Sequence, residues 1–104
     1  MKLLTGLFIS FLLSSTLYAA SIPDTAMETS GIKVEFFETS QEGIVYVYGC
    51  DQCTEKFYTF TDEPRIKRKG KYISFEEFMK DYWNAEHPTL FLDQRTQSVR
   101  KILY

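Results

Sequence analysis

The chain has 104 residues, a formal net charge of −2 and 16% aromatic residues. That composition excludes a disordered polymer, and the length allows one small domain with a thin core. The acidic balance argues against nucleic acid as a partner.

The first twenty residues carry the marks of a cleavable export signal. Lys2 gives the positive start, residues 3–13 form an apolar run broken only by Thr5, Gly6 and Ser10, and Ala19 and Ala20 supply small side chains for a peptidase. The run is shorter than the roughly 20 apolar residues a spanning helix needs. No cysteine follows it to accept a lipid, and no second long apolar run exists. The expectation is a signal peptide over 1–20, a flexible leader over 21–31, and one domain over 32–104. The mature chain is expected to be exported, periplasmic or secreted, with no stable membrane insertion after cleavage.

Charge is uneven along that domain. Residues 21–63 hold nine acidic and two basic side chains, whereas residues 64–104 hold nine basic and five acidic ones. The densest basic run is Arg65, Lys67, Arg68, Lys69 and Lys71. Lysine and arginine discourage edge-to-edge pairing, so the run reads as a solvated hairpin or edge strand, not as an anion site.

In chain order, residues 32–38 mostly alternate polar and apolar, as a half-buried strand does. A turn signal over 39–43 follows. Residues 44–48 are β-branched or aromatic throughout, which predicts a central strand covered on both faces. Residues 56–61 favour strand, and 62–64 form a turn. Residues 65–69 and 71–73 read as short strands about Gly70. Ser74 with Glu77 has the capping-box pattern. Phe75, Phe78, Met79 and Tyr82 then recur on one helical face, predicting a helix from 74 to about 83. Residues 89–92 and 98–103, joined by a polar turn, predict a C-terminal hairpin. The fold class expected is α+β: a small, hairpin-rich antiparallel sheet of about five to six strands, with one helix packed on one face.

Cys50 and Cys53 are the only cysteines, in C-x-x-C spacing. In an oxidising compartment a disulfide is their default state. One reading is structural, a bridge pinning the bend between two strands. A second is metal binding, in which two thiolates with His87 and a carboxylate such as Asp51 or Glu55 make a zinc set, or the thiolates alone suit Cu(I). A third is redox chemistry. Cys50 and Cys53 after a strand, together with Pro88 before residues 89–91, resemble the thioredoxin-like family. That resemblance implies Cys50 as nucleophile, Cys53 as resolving cysteine and Pro88 shaping a substrate groove. It also implies a helix after Cys53, where the composition here favours strand.

The sequence contains no Gly-rich phosphate loop, G-x-S-x-G or H-E-x-x-H, and His87 is its sole histidine. Neither a metal nor a cofactor is expected. The reading is a small exported binding or accessory domain with a structural Cys50–Cys53 disulfide and an unidentified protein partner. The alternative is a thiol–disulfide oxidoreductase using Cys50, Cys53 and Pro88.

Overall fold

The structure, a computed structural model, describes residues 23–104, so the expected signal over 1–20 lies outside the described residues. Among the described residues eight strands form two sheets: β1 (Thr25–Glu28), β2 (Gly31–Phe37), β3 (Glu42–Tyr48), β4 (Phe57–Phe60), β5 (Arg65–Arg68), β6 (Lys71–Ile73), β7 (Thr89–Leu92) and β8 (Val99–Leu103). Among the same residues one helix, α1 (Phe75–Asp81), runs into a 3-10 turn over Tyr82–Asn84. Among the described residues no helix is long and apolar enough to cross a membrane.

The expected α+β class holds, with more strands and a second sheet. Strands β2, β3 and β4 form an antiparallel meander, and the others form a five-stranded sheet in the order β1-β7-β8-β5-β6. Every strand pair is antiparallel except β5–β8, which is parallel. Alternation decides which side chains go inward. Ile32, Val34, Val45, Tyr58 and Phe60 come from the meander, and Met27, Ile66, Leu90, Leu92, Val99 and Ile102 from the larger sheet. They meet in one buried core.

Helix α1 closes that core with aromatic rings. Phe75 lies 5.2 Å from Phe36 and 5.6 Å from Phe60, centroid to centroid. Phe78 lies 5.8 Å from both Phe75 and Tyr104, and 6.0 Å from Tyr82. The helix starts where Ser74 Oγ accepts from the Glu77 N–H at 3.1 Å. The reciprocal half of the capping box is replaced: the Glu77 carboxylate sits 3.6 Å from Arg68 instead. Arg68 also donates to Asp81 at 2.9 Å, and Asp81 accepts from the Tyr104 hydroxyl at 3.1 Å. Burial, with the hydrogen bond to Asp81, raises the pKa of Tyr104. Of the predicted stripe, Phe75 and Phe78 are buried, while Met79 and Tyr82 are half-buried against the core.

Three expectations are corrected. The stretch expected as a leader contains β1, which pairs with β7 over Thr25–Glu28. Met27 is its one large buried side chain, too short a signal to read as a pattern. Strand β3 is central, but its two faces are unequally covered: Val45 is buried, while on the other face Ile44 and Tyr46 are half-buried and Tyr48 is 54% exposed. The basic run forms the expected hairpin, β5–β6, with Lys71 on the edge strand β6 and Arg65, Lys69 and Lys71 exposed, but its first strand is not itself an edge. Strand β5 is interior, between β8 and β6, and its side chains divide between the two faces.

Candidate functional site

Strand β3 ends at Tyr48, and Gly49 turns the chain with a φ of 59°. Cys50 and Cys53 are bonded across the next turn, with Cα atoms 5.4 Å apart, and the Cys53 N–H donates to the Cys50 carbonyl at 3.4 Å. Both cysteines are half-buried against the core. With both sulfurs in one bond neither is a thiolate. Among the described residues no group of three or more His, Cys, Asp or Glu side chains is placed to hold a metal ion.

No helix follows the pair. Residues 54–56 are bends, and β4 begins at Phe57. The first free amides after Cys53 are held by a buried phenol: the Tyr58 hydroxyl accepts from the N–H of Thr54 at 3.2 Å and of Glu55 at 3.3 Å. It faces Met27 Sδ at 3.9 Å. In a helix starting at Cys50 these two amides would donate to the Cys50 and Asp51 carbonyls; here they donate to Tyr58, and that helix does not form.

The Pro88 segment does come near the cysteine loop. Gly49, Asp51 and Gln52 share a cleft of about 460 Å³ with Glu28, Ser30 and His87. The Pro88 ring is buried and does not line that cleft, nor do Cys50 and Cys53. Pro88 contributes its carbonyl, which accepts from both the N–H (3.1 Å) and the hydroxyl (2.8 Å) of Thr29. That pair of bonds fixes the corner where the chain leaves β1 for β2, and Ser30 N–H continues it by donating to the Tyr48 carbonyl at 2.8 Å. Thr29 has no periodic signal around it, and sequence reading misses it.

Two open sheet faces complete the surface. On the meander, Tyr46 and Phe57 lie 5.9 Å apart, with exposed Tyr48 two residues on from Tyr46 and exposed Phe37 at the other end of the β2–β3 ladder. On the larger sheet, the register sets Phe91, Lys101 and Arg65 in one row and Leu103, Lys67 and Tyr72 in the next. Arg65 stands 4.4 Å from the Tyr72 ring centroid, Lys67 5.2 Å and Lys101 5.7 Å. The hydrogen bond from Lys101, with the nearby charges of Arg65 and Lys67, lowers the pKa of Tyr72. Sequence reading finds Arg65 and Lys67 as part of the basic run, but not their meeting with Lys101.

At the far end of the β7–β8 hairpin, Asp93 Oδ1 accepts from the N–H groups of Arg95 (2.8 Å) and Thr96 (3.2 Å). These bonds lower the Asp93 pKa and account for the turn chemically, without recourse to a site. No family model, curated protein or solved structure matches this chain.

Proposed function

We propose that this chain is an exported binding or accessory domain, periplasmic or secreted, whose Cys50–Cys53 disulfide is structural and whose partner is a protein. The observation that carries the reading is the Tyr58 hydroxyl on the Thr54 and Glu55 amides. A redox C-x-x-C needs a thiolate stabilised at a helix N-terminus or by a nearby cation. Here the following segment is bends and strand, and the sulfurs pack on the core. The bridge then acts as a staple on the bend between β3 and β4, in a domain with a small core.

Export is supported by the sequence of residues 1–20 and by a disulfide that an oxidising compartment maintains. Binding is supported by the two open sheet faces, which carry exposed aromatic rings.

Intact mass of the exported protein tests the reading. The expected species begins at Ala20 or Ser21 and is lighter than the dithiol form by the two hydrogens of the bridge. Recovery of the chain in a membrane fraction with residues 1–19 retained contradicts export.

A further inference from the structure

We propose that the outer face of the five-stranded sheet, centred on Tyr72, docks a carboxylate-rich segment of a protein partner. This rests on the reading of the chain as a binding domain and names the chemistry of what it binds.

The face holds cations in an arrangement that the fold alone does not favour. Arg65 lies directly opposite Lys101 in the β5–β8 ladder, and like charges in that relation repel. Lys67 adds a third charge one row away, around the same ring. None of the three is ion-paired with a carboxylate among the described residues. Arg68, from the same strand, shows the contrast: it turns to the inner side and meets both Asp81 and Glu77. The molecule is acidic overall and has carboxylates to spare, yet this cluster has none. A group of cations on a solvent-exposed face, with no carboxylate paired to them, is complementary to an anionic ligand.

The surroundings choose the kind of anion. The cations span only neighbouring strands, which suits one or two carboxylates, not a long track of phosphates. Beside them lie half-buried Phe91 and Leu103, apolar ground for the side chains of a polypeptide. Glu28, on the same face at the β1 edge, disfavours an extended polyanion. Tyr72 is 51% exposed, and its hydroxyl is polarised by Lys101, so it is a good donor to a carboxylate oxygen. The salt bridges formed in this way are charge-assisted and screened by salt.

Fluorescence anisotropy of the mature chain with a short labelled oligoglutamate peptide tests this. Saturable binding is expected at low salt, weakened at least about tenfold by Lys67→Gln with Lys101→Gln, and weakened also by Arg65→Gln alone. An oligoglutamine peptide should not bind, and Lys33→Gln on the other sheet should change nothing. Near-UV circular dichroism checks that each variant is folded. The proposal is overturned by three results: absence of saturable binding, binding that ignores these substitutions, or tighter binding of oligothymidine or anionic phosphatidylglycerol vesicles that shows the same dependence. A thiol-exchange assay on the same preparation reports separately on the underlying reading. Background exchange alongside failed peptide binding removes only the docking face.

Discussion

Replacing Phe78 with alanine is expected to cost about 3–5 kcal/mol. Phe78 is fully buried, and its ring is in contact distance of Phe75, Tyr82 and Tyr104. Helix α1 has seven residues, too few to be stable by itself, so it is held by its packing: Phe75 meets the meander rings Phe36 and Phe60, and Phe78 meets Phe75 and Tyr104. The cavity left by alanine is bounded by other rings and strands, which cannot easily collapse into it. A domain of this size has only about 5–15 kcal/mol in total, so the variant approaches global unfolding. Urea denaturation measures the loss. Phe78→Leu should retain most of the stability, and a loss below about 1 kcal/mol in Phe78→Ala means the helix is not held by this ring.

The second large effect is expected from adding one carbon. Gly43→Ala should destabilise by about 1–3 kcal/mol. A Cβ built at Gly43 overlaps the Phe60 ring. Phe60 cannot move aside: it is 1% exposed, stacked on Phe36 at 6.2 Å and met edge-on by Phe75. Gly43 lies opposite Phe60 and Phe36 across both ladders of the meander, so the aromatic rings take the space a side chain would fill. The φ of Gly43 is not positive, and the penalty is therefore one of packing. A double-mutant cycle with Phe60→Leu tests this cause: the smaller side chain should recover part of the loss. Full additivity of the two substitutions would show that the overlap is relieved elsewhere.

Local signals in the sequence are dependable where local physics decides. Ser74 caps α1 because its hydroxyl needs only the backbone three residues on. The β7–β8 hairpin follows from a polar turn between two apolar runs, and β5–β6 from Gly70 at a φ of 83°. What escapes sequence reading is settled by distant partners. β1 exists because β7 offers an edge and Pro88 anchors Thr29, neither visible from four residues around Met27. The apolar run of β3 predicts cover on both faces, but the outer one, with Ile44 and Tyr46 half-buried and Tyr48 exposed, is covered only in part. Glu77 belongs to the capping-box pattern, yet Arg68 lies within its reach and draws the carboxylate away. The parallel pairing of β5 with β8 is equally non-local, and it alone brings Lys101 beside Arg65.

The candidate site divides in the same manner. The C-x-x-C pair and the strand after it are legible in composition. The Tyr58 hydroxyl that takes up the Thr54 and Glu55 amides is not, because its direction depends on which face of β4 is buried. Once the β3–β4 register is known, Tyr58 opposite Val45 must point inward, and the loop folds back onto it.

The reduction potential of the Cys50–Cys53 pair, measured against a glutathione or dithiothreitol series, tests the central claim most directly. A structural staple packed on the core, with no helix to stabilise a thiolate, should lie below about −300 mV. The double substitution Cys50→Ser with Cys53→Ser should lower stability by about 2 kcal/mol, the entropy of a loop of about four residues, and leave thiol exchange at background. A potential above about −200 mV, together with a Cys50 thiol pKa below about 7, would contradict the account and make the pair a working redox centre.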